Sequence, residues 1–330
     1  MGPLVIIGLF ILIVLFRFNQ KLKGFTYTLF ILMAAVSSLI YPEWFLKMGG
    51  IDMTKAIVPL LMLIMFGMGT TMSYKDFFLI LKMPKAVFLG LFFQFSIMPL
   101  IGFGLAIISG LPNEIAAGMI LVGCSPSGLA SNVMSYLSKA NLALSITLTT
   151  IATLVSPVVT PFLMKIFADQ FVPIDFSSML WSIVKMVLLP VVAGLTFNYF
   201  AKNKFGFIKL AMPIISMGGI TLIIAIITAS GRDALLSVGY WLILLVFIHN
   251  ILGYLLGYLG AYVWGLDKAS CRTLAFEVGM QNSGLASGLA VEMGRIATMG
   301  LAPAIFGPLM NTSASILATF WKKKSHEITL

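Results

Sequence analysis

A chain of 330 residues with 60% hydrophobic and only 10% charged side chains cannot be a water-soluble globular protein, because soluble domains carry about 25% charged residues. Its 21 Lys and Arg against 11 Asp and Glu give a net charge of +10. That excess would suit nucleic acid if it gathered on one soluble surface, and its distribution along the chain shows that it does not.

The first apolar stretch is residues 3–16, followed by Arg17, Lys21 and Lys23. A signal peptide carries its basic residues before the apolar run, so residues 1–23 are expected to form an extra short helix with its N-terminus outside. An interfacial or re-entrant segment is the competing reading, since the run is short for a crossing. Ten apolar segments follow, at 24–42, 55–72, 85–109, 115–138, 141–164, 177–200, 208–230, 235–264, 268–293 and 297–321. Each can hold the roughly 20 residues of a spanning helix. Alternating the sides puts Arg17, Lys21, Lys23, Lys75, Lys82, Lys85, Lys139, Lys202, Lys204, Lys209, Lys268, Arg272, Lys322, Lys323 and Lys324 on one face of the bilayer. The other face has Lys47, Lys55, Lys165, Arg232 and Arg295, and Lys185 falls within a span. The richer side is expected to be cytoplasmic, together with the tail 323–330. The charge is thus a topology signal with a lipid bilayer as partner and no nucleic acid.

The fourth segment contains VGCSPSGLAS at 122–131 and the ninth contains VGMQNSGLAS at 278–287, identical at seven of ten positions and offset by 156 residues (122 to 278). A shared small-residue packing motif would explain Ser-Gly-Leu-Ala-Ser alone. The upstream Val-Gly match and an offset near half the chain favour a duplication. An odd offset of five segments reverses direction, so residues 24–164 and 177–322 are expected to be inverted five-helix repeats. Both copies carry helix breakers: Pro126 between Gly123 and Gly128, and Gln281-Asn282 between Gly279 and Gly284. A helix unwound at membrane depth is tolerated when it is buried or lines a cavity. Its first half ends in carbonyl oxygens that suit a cation, and its second half begins with amides that suit an anion.

Glu277 stands immediately before the second break. A buried carboxylate must be protonated, paired or bound to a cation, so sodium, a proton and pairing with Lys185 are all open. Ser131, Asn132, Ser145, Thr149, Gln281 and Asn282 add oxygen ligands of the kind hard cations prefer. Ser145 and Thr149 share one helix face, although ordinary back-bonding explains them equally well on their own. Cys124 and Cys271 make no metal-type spacing and read as buried free thiols. No His-Glu-x-x-His and no catalytic carboxylate pair occurs, which argues against an intramembrane enzyme.

The stretches CSPSGLASNVMSYLSKANLALS (124–145) and EVGMQNSGLA (277–286), with Phe247-Ile248-His249-Asn250 and Asn311 through Trp321, resemble the signature segments of bacterial members of the bile acid:sodium symporter family. The resemblance covers residues 24–322. It implies an all-α membrane protein of ten core helices in two inverted repeats, with broken, crossing helices 4 and 9. It further implies two sodium (Na+) sites: Ser131, Asn132, Ser145, Thr149 and Glu277 for one, and Gln94, Glu277, Gln281 and the carbonyls of Val278 and Met280 for the other. By the same resemblance Ser127, Leu129, Asn282, Met310 and Asn311 would line the substrate cavity. The family's substrate class implies an organic anion, bile-acid-like or a smaller carboxylate; Met310 and Leu129 stand where bile-acid-binding relatives can carry His and Thr, so two polar contacts to a bile acid itself are absent. The function implied is sodium-coupled symport of an organic anion by alternating access in the bacterial inner membrane. The alternatives are proton coupling at Glu277 and an arsenite-type exporter using Cys124. His249 and Asn250 are expected to form packing hydrogen bonds only.

Overall fold

The computed structural model describes residues 2–18, 25–73, 80–201 and 206–327. Lys21, Lys23, Lys75, Lys202 and Lys204 of the charge argument lie outside them. The described chain is nearly all helix, as an apolar sequence in a bilayer must be when its backbone satisfies its own hydrogen bonds. Six helices among these residues are long and apolar enough to cross a membrane.

Helix α1 (Gly2–Phe18) has no buried residue. It starts beside the Ile40 side chain at the end of α2 (Thr26–Ile40) and runs antiparallel along it. The apolar stretch 3–16 is therefore a helix of nearly the same length as α2. A short α3 (Pro42–Leu46) leads into a hairpin, β1 (Lys47–Met48) against β2 (Ile51–Asp52), with Lys47 opposite Asp52 and Met48 opposite Ile51. Gly49 and Gly50, with φ of 56° and 82°, make its turn, since two consecutive left-handed residues match the twist of a two-residue hairpin. The purely helical expectation is corrected to this extent.

Helices α4 (Ile57–Thr71) and α5 (Pro84–Ile108) follow. The fourth segment is two pieces, α6 (Asn113–Cys124) and α7 (Ala130–Leu137), and α8 (Leu142–Phe167) is the fifth. The sixth consists of α9 (Phe176–Ile183), a π-turn (Val184–Leu188) and α10 (Leu189–Ala201). Then come α11 (Gly206–Ser230) and α12 (Arg232–Val263). The ninth segment is again two pieces, α13 (Lys268–Gly279) and α14 (Ser283–Glu292), and α15 (Leu301–Glu327) closes the chain. Helix α14 stops at Gly294, whose φ of 68° lets Gly294 and Arg295 donate back to Val291 and Ala290, the usual left-handed end of a helix. Arg295 and Thr298 in the following turn hold Glu114 at the start of α6. This turn moves the start of the last helix from the expected 297 to Leu301.

Helix α4 packs on α10 and α11, while α5, α6, α8, α12 and α13 pack on one another. Polar side chains punctuate the helix starts. Asp267 caps α13 by accepting from Ala269 and Ser270 amides at 2.9 and 3.0 Å and from the Ser270 hydroxyl at 2.6 Å. Burial alone would raise its carboxyl, but these bonds outweigh it and hold it below the usual range. The cap therefore stabilises the fold above the ordinary carboxylate pKa, and its contribution is lost as pH falls through the depressed value. Asp267→Ala is expected to cost about 1 kcal/mol at neutral pH, and Asp267→Asn much less. Thermal unfolding of the two variants at neutral and acidic pH checks this; a cap role fails if alanine and asparagine are equally damaging.

Candidate ion and substrate site at the two helix breaks

Pro126 ends α6. It has no N–H to donate, and the residue before it, Ser125, is extended with φ −77° and ψ 152°, as prolines impose. The second break unwinds at Met280, with φ −110° and ψ 105°. Asn282 restarts the helix by accepting the Leu285 amide on Oδ1 at 3.0 Å. The two unwound stretches then pair. Gly128 N–H donates to Met280 O at 3.2 Å, Asn282 N–H donates to Pro126 O at 2.7 Å, and Ser127 faces Gln281 as an isolated antiparallel bridge. Each break thus satisfies backbone groups that the other has freed.

Glu277 is buried directly before this bridge. Its Oε1 accepts from Ser131 and Ser145 at 2.6 Å each, and its Oε2 accepts from Ser127 at 2.7 Å. Thr149 Oγ1 stands 3.2 and 3.0 Å from the two carboxylate oxygens. Asn132 Oδ1 lies 2.8 Å from Ser145 Oγ and 3.2 Å from Thr149 Oγ1. The expected first set, Ser131, Asn132, Ser145, Thr149 and Glu277, is thereby brought together from α7, α8 and α13. Lys185 is exposed on the π-turn, and no ion pair to Glu277 exists among the described residues.

The second set also meets. Gln94 on α5 donates through Nε2 to Gln281 Oε1 at 2.8 Å and to Ser125 O at 3.0 Å. Gln281 Nε2 donates to Val278 O at 2.6 Å, and Met280 O accepts the Gly128 amide. Gln94 Oε1 is buried without a hydrogen-bond partner.

The expected cavity residues are less uniform. Ser127 belongs to the carboxylate cluster, a contact with no local signature because it depends on the bridge. Asn282 and Met310 are buried, and Leu129 and Asn311 are half-buried. The Asn311 amide donates to Gly307 O at 2.8 Å. Cys124 is wholly buried, and no group of three His, Cys, Asp or Glu side chains poised for a metal occurs among the described residues.

Two interrupted helices, paired through their breaks around a carboxylate deep among apolar spans, define a multi-pass membrane transporter. Residues 58–238 match the profile of a family described as "Sodium Bile acid symporter family". The chain is 41% identical over 302 residues to a protein of Bacillus subtilis (strain 168) named "Uncharacterized sodium-dependent transporter YocS", covering 91% of this chain and 92% of that one. It is 36% identical over 261 residues to "Probable sodium/metabolite cotransporter BASS1, chloroplastic" of Arabidopsis thaliana, covering 79% of this chain and 65% of the relative. To "Probable sodium/metabolite cotransporter BASS2, chloroplastic" of Oryza sativa subsp. japonica it is 34% identical over 262 residues, covering 79% and 62%. It thus spans less than two thirds of either plastid relative. The chain belongs to the sodium bile acid symporter family and is a transporter, not an enzyme. An exporter working through the lone thiol of Cys124 has no support in this membership.

Proposed function

We propose that this protein is a sodium-coupled symporter of a small organic anion in the bacterial inner membrane, working by alternating access, with its C-terminus cytoplasmic. The observation that carries the reading is a shortage of hydrogens around Glu277. Each hydroxyl has one hydrogen to donate, yet Ser145 Oγ lies within 2.8 Å of both Glu277 Oε1 and Asn132 Oδ1. Thr149 faces both carboxylate oxygens, Asn132 Oδ1 and Ser145 O. Such an excess of oxygen lone pairs around a carboxylate fits a hard cation. The unpartnered Gln94 Oε1 supplies a further acceptor at the neighbouring set. Ser131, Asn132, Ser145, Thr149 and Glu277 would hold one sodium ion, and Gln94, Gln281, Glu277 and the Val278 and Met280 carbonyls a second.

The starts of α7 and α14 present helix amides and a positive dipole end at the crossing, which supports an anionic substrate beside Asn282 and Asn311. The apolar Leu129 and Met310 support a carboxylate with little need for additional hydrogen bonds. The 156-residue offset of the two breaks supports inverted repeats, with sodium binding and substrate binding sharing one coupling free energy.

The test is a thermal-stability screen of carboxylate and steroid anions on purified protein, in sodium chloride and in choline chloride at fixed pH. Sodium alone is expected to raise the midpoint. A transported anion is expected to raise it further in sodium only, by the equivalent of about 2.7 kcal/mol at a hundredfold excess over Kd. Equal stabilisation in choline overturns sodium coupling, and stabilisation by acidification in its place assigns Glu277 to a proton.

A further inference from the structure

His249 and Asn250 on α12 have so far only a packing role, yet Asn250 is wholly buried and both ends of its amide are committed. Its Nδ2 donates to Gly279 O at 2.8 Å, and its Oδ1 accepts from Ser313 Oγ on α15 at 2.6 Å. Ser313 Oγ stands 3.2 Å from Tyr254 Oη, which donates to Met310 O at 3.0 Å. A continuous polar chain therefore joins Gly279 O, Asn250, Ser313, Tyr254 and Met310 O through an otherwise apolar interior.

Both ends of this chain lie at the proposed sites. Gly279 is the last residue of α13, and its carbonyl is one that a helix end cannot satisfy by itself. It sits between Val278 and Met280, the two residues whose carbonyls the second ion would use. Met310 precedes Asn311. The numbering adds an independent observation. Asn250 follows Gln94 by 156 residues (94 to 250), the offset of the two breaks. Gln94 holds the Ser125 carbonyl of the first break as Asn250 holds the Gly279 carbonyl of the second. Each half of the protein thus carries one amide that clamps its own break, and only the second clamp continues to α15.

We propose that Asn250 is a positioning residue that sets the Gly279–Met280 peptide for ion binding, and that Ser313 and Tyr254 link the state of that break to Met310 and Asn311. The proposal rests on the reading of the breaks as sodium and anion sites. By reciprocity, whatever tightens one end of the link must tighten the other.

Two measurements on purified protein test it, with sodium chloride against choline chloride as the probe. One is the sodium concentration for half-maximal thermal stabilisation. The other is the rate at which a maleimide labels Asn311→Cys, both native thiols being buried. Asn250→Ala should raise half-saturating sodium about tenfold, as removal of an outer-shell partner commonly does. Ser313→Ala and Tyr254→Phe should shift that concentration far less than Asn250→Ala does, yet abolish the sodium-dependent change in labelling at position 311. Native sodium affinity in Asn250→Ala overturns the clamp. No sodium effect on labelling in the Asn311→Cys background, or an effect that survives Tyr254→Phe, overturns the link. Should Asn250→Ala fail to fold, Asn250→Leu, which keeps the volume without the amide, tests the clamp by the same sodium titration, and the Ser313 and Tyr254 variants still decide the link. A native protein that gains no stability from sodium sinks the sodium reading itself, an outcome distinct from all of these.

Discussion

Glu277→Ala is expected to abolish sodium-dependent uptake and sodium-dependent stabilisation while leaving a folded protein in the membrane. Removing one partner of a buried charge pair costs roughly 2–5 kcal/mol of binding, so half-saturating sodium should rise by about thirtyfold or more. The sign of the stability change is the sharper readout. Without a cation, the carboxylate is buried among Ser127, Ser131, Ser145 and Thr149 with no positive partner, and such a group burdens the fold. In choline the variant should therefore be at least as stable as the native protein. In sodium the order should reverse, because on the proposed reading the variant has lost the ion's carboxylate ligand. If Glu277 were a structural hydrogen-bond acceptor alone, alanine would destabilise the protein equally in both salts. Glu277→Gln, which keeps the volume, should behave like alanine towards sodium, and retention of native sodium affinity by the glutamine variant would defeat the assignment.

The second large effect is expected from a single methyl group. A Cβ on Gly123 would stand 2.9 Å from the Met98 carbonyl carbon and 3.2 Å from Pro99 Cα. These are backbone atoms of α5 and cannot rotate away. The same Met98 carbonyl accepts from His249 Nε2 at 3.0 Å, so α12 resists any outward shift of α5. Gly123→Ala should destabilise the protein by about 1–3 kcal/mol and weaken sodium binding, since α6 delivers its break from this contact. Gly104→Ala, on the same α5, meets nothing within 4 Å and should be neutral or slightly stabilising. Thermal midpoints of the two variants in both salts compare them directly. Equal midpoints would mean that the helices do not meet as tightly as the distances require.

The parts of this arrangement that could be read from the sequence are those with a local physical cause. Pro126 and the glycines around both breaks interrupt otherwise apolar spans, and Glu277 is conspicuous as a carboxylate inside one. Ser145 and Thr149 share a helix face at a spacing of four. Ser127 and Gln94 could not be placed in this way. Their contacts bridge 150 and 187 residues of sequence, and the crossing of the two breaks creates them. Asn250 in the sequence is indistinguishable from a packing residue, because what sets it apart is which carbonyl it meets. The Lys47–Asp52 hairpin is illegible for a different reason: two-residue strands carry no alternation, and only Gly49-Gly50 marks it.

The π-turn at Val184–Leu188 has a consequence for the length of the chain. A π-turn holds one residue more than a regular helix needs, taken up locally so that the helix on either side keeps its direction. Among the described spans, the sixth is therefore one that can lose a residue without turning the helix beyond it. A one-residue deletion elsewhere in a continuous helix turns everything beyond it by about 100° and moves lipid-facing groups inward. A deletion within Val184–Leu188 would restore a regular helix and leave α10 in register with α4. Members of the family that lack this extra residue should align with a one-residue gap at the π-turn and with no compensating insertion elsewhere in that span.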